Sequence, residues 1–317
     1  MHRARSTRST SSRLRTVAAA LPALGALFVA GTVVESRAYT LRRFELPVLP
    51  AGSRPLRVLH LSDLHLTPWQ RRERRWVRDL EALEPDLVVD TGDNLAHPDA
   101  VPAVLDALGP LLERPGAFVL GSNDYFAPRP KNPARYLVPD RGRRVVGRRL
   151  PTQELVRGLT GAGWADLTNT RTTIDVRGVR LALVGVDDPH LGYDRFPPPQ
   201  RPAGEVDLRI GVLHAPYTRV LDAMVEDGAG LLLAGHTHGG QLRVPGYGAL
   251  VSNCDLDPWR ARGPSRWWPG AGRSGRRTPS PDGAAWLHVS AGLGTSPYTP
   301  FRFACRPEAS LLTLVPR

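Results

Sequence analysis

Two histidines stand two positions apart in Gly235-His236-Thr237-His238-Gly239-Gly240-Gln241, directly after the apolar run Leu231-Leu232-Leu233-Ala234. Such a run reads as a buried strand, which puts both imidazoles at or just past its carboxyl end. In extended backbone, residues i and i+2 point the same way, so two ring nitrogens can converge on one small volume. The flanking glycines let the chain turn tightly around whatever sits there. The chemistry this arrangement suits is metal binding.

Other strand-like runs end in the same kind of residue. Asp63-Leu64-His65 follows Leu56 to Leu61, and Asp93 follows Leu87 to Val89 within Thr91-Gly92-Asp93-Asn94. Asn123 and Asp124 follow Ala117 to Leu120, and His214 ends the run Leu208 to Leu213. In open α/β sheets ligands gather at the carboxyl ends of strands, so these distant positions can share one crevice. Taken singly, Asp-x-His and Gly-Asp-Asn are ordinary capping and turn chemistry. Taken together, Asp63, His65, Asp93, Asn123, His214, His236 and His238 are too many ligands for one ion and about right for two. Two divalent ions roughly 3.5–4 Å apart can clamp a phosphoryl group and generate a hydroxide between them at neutral pH. Mixed oxygen and imidazole ligation suits manganese, iron or zinc better than calcium.

The elements that must position these residues alternate between strand and helix. Helical spacing runs over Trp69 to Leu83, Val101 to Leu112, Gln153 to Leu159 and Pro216 to Val225. A hairpin is expected from Thr172 to Val186, turned at Arg177-Gly178, and closing strands at Leu287 to Ser290 and Ser310 to Val315. The expectation is an α/β fold. Two Arg- and Pro-rich stretches, 127–151 and 259–283, read as surface excursions, the second as a flexible insertion. Trp267-Trp268 beside Arg266 suits either a membrane interface or a cap on the fold.

The balance of 42 Lys+Arg against 30 Asp+Glu leaves a formal charge of +12. That suits anionic partners such as phosphate esters, acidic lipid headgroups or nucleic acid, and is equally what an arginine-rich coding bias leaves behind. Arg3, Arg5, Arg8, Arg13 and Arg15 precede Thr16 to Val34, a run without a charge. The run approaches the roughly 20 residues that cross a bilayer as a helix. It exceeds the roughly 7–15 residues of a signal-peptide core. An uncleaved single-pass anchor is expected, and the larger arginine cluster on its amino side would put the catalytic domain outside the cytoplasm. That location makes nucleic acid a poor partner. Residues 1–50 then read as basic terminus, transmembrane anchor and linker, and 51–317 as the domain. Cys254 and Cys305 carry no metal-ligand spacing; pairing and separate burial both remain open.

The blocks Asp63-x-His65, Gly92-Asp93, Gly121-Ser122-Asn123-Asp124, His214 and Gly235-His236-Thr237-His238 resemble the calcineurin-like metallophosphoesterase superfamily, and most of all its membrane-anchored bacterial members. The resemblance spans about Leu56 to the end. It implies a four-layer α-β-β-α sandwich with a dinuclear metal centre at the sheet edge. Asp63, His65 and His238 would hold one metal, Asn123, His214 and His236 the other, and Asp93 would bridge. The family block usually reads Gly-Asn-His followed by an acidic residue, whereas here Asn123 is followed by Asp124. The family's histidine helps protonate the leaving oxygen, so Asp124 becomes the candidate acid if burial raises its pKa. His97 is a second candidate, or a surface-loop histidine. The expected activity is hydrolysis of a phosphodiester or phospholipid-like substrate rather than a simple alkyl monoester. The alternatives are a catalytically weak metal-binding scaffold at the membrane and a nuclease.

Overall fold

The computed structural model describes residue 25 and residues 27–130, 146–200 and 204–317. In chain order the strands are β1 (Thr40–Leu49), β2 (Leu56–Leu61), β3 (Leu87–Asp90), β4 (Gly116–Phe118), β5 (Ala165–Asp166), β6 (Arg171–Val176) and β7 (Val179–Gly185). They continue as β8 (Leu208–Val212), β9 (Leu231–Ala234), β10 (Arg243–Val244), β11 (Gly248–Ala249), β12 (Gly263–Trp267), β13 (Ala285–Val289) and β14 (Glu308–Pro316). The helices are α1 (Arg71–Arg78), α2 (Val101–Leu108), α3 (Ser122–Tyr125), α4 (Thr152–Gly161) and α5 (Thr218–Glu226).

Two six-stranded sheets carry the fold, one in the order β1-β14-β2-β3-β4-β5 and the other β12-β13-β9-β8-β7-β6. Within them β2, β3, β4 and β5 run parallel, as do β7, β8, β9 and β13. Strands covered on both faces are apolar at successive positions, which is why Leu87-Val88-Val89 and Leu231-Leu232-Leu233 read as unbroken hydrophobic runs. Leu87 and Val89 pack with Ile210, Leu231 and Leu233 between the sheets. Val88 points the other way, onto Val77 of α1 and Val104 of α2. Leu232 faces outward with Leu221 and Met224 of α5. Helices therefore cover the outer faces of two sheets packed on each other, and the parallel strands bring their carboxyl ends to one edge.

Several expectations shift. The domain does not begin at residue 51: β1 pairs in parallel with β14, burying Leu46, Val48 and Leu49. Pro47 is tolerated because β1 is an edge strand. The stretch 259–283 is no flexible insertion, since β12 is the outer strand of the second sheet. Trp267 is fully buried and its indole N–H donates to Asp222 at 2.9 Å, so of its two readings the cap on the fold holds. Of 127–151, residues 131–145 lie outside the described residues. Helices α1 and α2 are shorter than expected and tighten into 3₁₀ turns, Asp79–Leu83 and Gly109–Glu113. At the second, Pro110 lacks the N–H that an α-helix would use. Cys254 and Cys305 form no disulfide. Most of the expected membrane anchor lies outside the described residues; residues 27–35 are helical, and among the described residues no helix is long and apolar enough to cross a membrane.

Candidate metal centre

Six of the candidate ligands sit on the turns after β2, β3, β8 and β9 and the seventh, Asn123, in α3 after β4, and five of them hold the left-handed backbone that L-residues avoid. These are Asp63 (φ 53°), His65 (43°), Asp93 (60°), His236 (67°) and His238 (47°). Such backbone costs on the order of 1–3 kcal/mol per residue and persists only where the surroundings over-determine it. Here neighbouring turns pin one another: Asp63 N donates to Gly92 O at 2.8 Å, His65 N to Asp93 O at 2.9 Å and Gly235 N to His214 O at 2.9 Å. Gly235 and Gly121 permit the close approach, because a Cβ would strike Ser62 Oγ at the first and Asp93 Oδ1 at the second.

The side chains converge. His65 Nε2 and His238 Nε2 lie 3.2 Å apart, and Asp63 Oδ1 is 3.5 Å from the latter and 4.0 Å from the former. Asp93 spans two positions, with Oδ2 at 3.6 Å from His65 Nε2 and Oδ1 at 3.5 Å from His214 Nε2. His214 Nδ1 donates to Thr91 O at 2.7 Å, which fixes the tautomer and leaves Nε2 as a lone pair facing inward. Asn123 lies against Asp93, its backbone N and Nδ2 each donating to that carboxylate at 2.7 Å. His236 packs edge-on to His214 with centroids 5.2 Å apart, and its Nε2 donates to Asn253 O at 3.1 Å. Asp63, His65 and His238 form one group whose ligand atoms fall within 4.8 Å of one another, and Asp63, Asp93 and His214 form a second. His236 stands beside these groups rather than in them.

The donor set fits metal ions. Asp63 Oδ1 and His214 Nε2 are wholly buried acceptors without a hydrogen-bond partner. Buried acceptors left so close together are costly unless a cation satisfies them. Burial pulls the pKa of His65 down, and that of His238 well below the usual imidazole range, so both offer lone pairs. Burial alone would raise Asp93, but His214 outweighs it and holds the carboxyl well below its ordinary range. Burial alone would lower His214, but Asp93 and then Asp63 hold it well above, so a proton competes with a metal ion for its Nε2 lone pair. The field at this edge favours positive charge.

Asp124, the candidate acid, is fully buried. Its carboxylate accepts from Gly121 N at 2.9 Å, Asp93 N at 2.8 Å and Asn94 N at 2.8 Å, so it caps the turns that carry the ligands. Burial, then the Asp93 charge, push its pKa up to about 8, yet both oxygens are engaged with backbone N–H groups. His97 sits in a partly exposed loop, its ring against Trp69.

Three residues near the centre were not singled out from sequence. Asp188 is fully buried with Oδ2 unpartnered, its pKa raised to about 7 by burial against the pull of His214. His190 packs on His236 with centroids 4.5 Å apart. Both follow β7, and the strand-tip pattern could have found them, because Asp187-Asp188-Pro189-His190 closes that run. Arg302 is buried with Nη2 3.3 Å from His238 Nδ1 and donating to the carbonyls of Ala291, Gly292 and Gly294. Nothing in its local sequence separates it from the many other arginines.

The profile of the calcineurin-like phosphoesterase family matches residues 56–240, which takes in all seven candidate ligands. The chain is 28% identical over 285 residues to "Phosphodiesterase YaeI" of Escherichia coli (strain K12), covering 87% of this chain and 88% of that protein. It is 23% identical over 290 residues to "Uncharacterized metallophosphoesterase YkuE" of Bacillus subtilis (strain 168), covering 89% and 86%. Among solved structures, phosphopantetheinyl hydrolase (PptH) from Mycobacterium tuberculosis aligns with a TM-score of 0.43 at 13% identity, over 86% of this chain and 98% of that one.

Proposed function

The chain belongs to the calcineurin-like phosphoesterase family, and from that premise we propose that it is a membrane-anchored phosphodiesterase working through two divalent ions. The observation that carries this reading is the convergence of Asp63, His65, His238, Asp93 and His214 on one buried edge, with Asp63 Oδ1 and His214 Nε2 left without partners. Asp63, His65 and His238 would hold one ion. Asn123, His214 and His236 would hold the other, and Asp93 would bridge. Manganese, iron and zinc all suit this donor set. When bound, such ions neutralise phosphoryl charge and supply a nucleophile from water at neutral pH.

The chain's own residues set the rest. Thr91 O holds the His214 ring, Asn123 holds the Asp93 carboxylate, and Asp124 holds the turns that carry both. The Ser122-Asn123 pair leaves this block without an imidazole to protonate a leaving oxygen. A poor alkoxide leaving group therefore gains least, which favours diesters, including phospholipid-like ones, and activated esters. The name of the Escherichia coli relative, Phosphodiesterase YaeI, agrees with that preference. The uncharged run Thr16 to Val34 behind five arginines supports a single-pass anchor in the cell membrane with the domain outside the cytoplasm.

The test is metal analysis together with turnover of bis-p-nitrophenyl phosphate and p-nitrophenyl phosphate by the full chain with added manganese. Metal-dependent turnover of the diester ahead of the monoester is expected, lost in Asp93→Ala. Turnover of neither substrate by metal-loaded protein would leave only a scaffold role.

A further inference from the structure

The helix that closes at residue 35 is apolar on every side. Leu27 is 69% exposed, Phe28 54%, Val29 50% and Val34 69%, and of residues 27–35 only Thr32 is buried. A helix that lays one stripe against a domain or into a partner's groove keeps a polar face toward water. This one has no charged residue before Glu35, and its sequence runs on toward the amino terminus without charge to Thr16. A helix apolar all round belongs in a protein core or in lipid, and the exposure of Leu27, Phe28, Val29 and Val34 on the domain points to lipid.

We propose that this helix seats the metal centre against a bilayer through residues 27–35 and loop 294–305, so that the substrate is a phosphate ester borne by a membrane lipid. The proposal rests on the phosphoesterase reading above and adds where the substrate comes from.

Four contacts tie the helix to that loop. Arg302 N donates to Thr32 O at 3.1 Å. The Glu35 carboxylate accepts from Ala304 N at 3.0 Å and Cys305 N at 2.6 Å. The Phe28 ring lies 5.0 Å from that of Phe303. The same loop is held on the candidate ligands at both of its ends. Gly294 N donates to Asp63 O at 2.6 Å, and a Cβ at Gly294 would strike Leu64 O and the Cβ of His65. At the other end Cys305 Sγ donates to His238 O at 3.3 Å, and Arg302 Nη2 lies 3.3 Å from His238 Nδ1. Between the two ends the chain passes through Tyr298, which is 50% exposed.

One buried side chain, Arg302, thus separates the docked helical turn from a ligand of the centre. Arg37, just after the docked turn, and Arg306, just after the loop, are both exposed and would face anionic headgroups. An ester whose acyl chains stay in the bilayer needs only its headgroup to reach the metals. A soluble ester gains nothing from such a placement.

The test reconstitutes the full chain with manganese into phosphatidylcholine vesicles. Hexadecyl p-nitrophenyl phosphate is placed in the same vesicles or in separate ones, and ethyl p-nitrophenyl phosphate is supplied in solution. Confinement to one surface should raise hydrolysis of the hexadecyl ester by about tenfold or more in the shared vesicles, with the soluble ester indifferent to the arrangement. Equal rates in shared and separate vesicles overturn the proposal and leave the phosphoesterase reading standing. If neither ester is hydrolysed faster than by Asp93→Ala, both readings fall. The double variant Leu27→Asp/Phe28→Asp should lose vesicle flotation and the shared-vesicle advantage while keeping soluble-ester turnover, which also reports that it folds. Retention of the advantage by that variant would remove the helix as the seat and the proposal with it.

Discussion

His65 and His238 present their Nε2 atoms to each other across 3.2 Å, with rings stacked at a 21° interplanar angle. Both imidazoles are held neutral by burial, and Asp63 Oδ1 stands 3.5 Å from the second. Neutral rings and a carboxylate arranged this way want a cation. Ligand that binds only the folded state stabilises it by RT ln(1 + [L]/Kd), about 2.7 kcal/mol at a hundredfold excess over Kd. Manganese should therefore raise the melting temperature of chelator-stripped protein by several degrees, and His238→Ala should lose much of that rise. Identical melts with and without metal would contradict the site.

Asp93 offers one oxygen toward His65 and the other toward His214, so removing its charge touches both halves of the centre. Asp93→Asn keeps the shape and can still meet one donor of Asn123. Loss of even an outer partner of a metal ligand costs roughly 10–100-fold in affinity or activity. A shared ligand should cost more than that, and metal analysis should find both ions depleted. Loss of a single ion would assign Asp93 to one position only.

For Asp124 the capping geometry and the acid role predict different readouts. Three N–H donors share its two oxygens, and leaving a buried donor without its partner costs about 1–3 kcal/mol. Asp124→Asn should lower the denaturant midpoint by a stability loss of about 2 kcal/mol or more. The shape of the pH–rate profile of the surviving protein should stay unchanged. Disappearance of the limb that requires a protonated group would restore Asp124 as the leaving-group acid.

Much of this was legible because the chemistry sits where hydrophobic runs stop. Each buried strand is an apolar stretch, and the residue types that follow Leu61, Asp90, Phe118, Val212 and Ala234 are the ones a metal centre uses. What stayed hidden depends on closure in three dimensions. Arg302 acquires its position only when the segment after β13 folds back onto His238, and no local pattern encodes that. Strand β1 was masked because its period-two burial appears only at Leu46 and Val48, around Pro47, beside a proline-rich stretch. Strand β12 is five residues long and includes Pro264, too short for its pattern to stand out from the arginines around it.

That hidden strand sets where the protein can be cut. Leu46, Val48 and Leu49 are at most 2% exposed, and full burial of such side chains contributes about 1.5–3 kcal/mol apiece. Their sum rivals the roughly 5–15 kcal/mol that holds a whole domain together. A fragment of residues 38–317 should melt cooperatively, whereas 51–317 should aggregate or melt well below it in a thermal scan. Equal melting temperatures would mean that β1 adds nothing to the sheet.

Glu73 gives the fold a pH dependence of its own. Its side chain is 2% exposed, Oε1 has no partner, and Oε2 accepts from Gln70 at 2.9 Å and Tyr39 at 3.3 Å. Burial raises its pKa from 4.5 to about 8, against the pull of those hydrogen bonds. Below 4.5 both folded and unfolded chains carry the proton and the group is neutral to stability. Between 4.5 and about 8 the unfolded chain releases the proton while the folded chain keeps it, so stability falls by up to about 1.4 kcal/mol per pH unit. Above that window the cost is constant. Glu73→Gln keeps the shape and removes the titration, so its advantage over the parent chain in denaturant midpoint should be small at pH 5 and large at pH 8. A difference that does not grow across that window would mean the folded carboxyl ionises at its ordinary pKa.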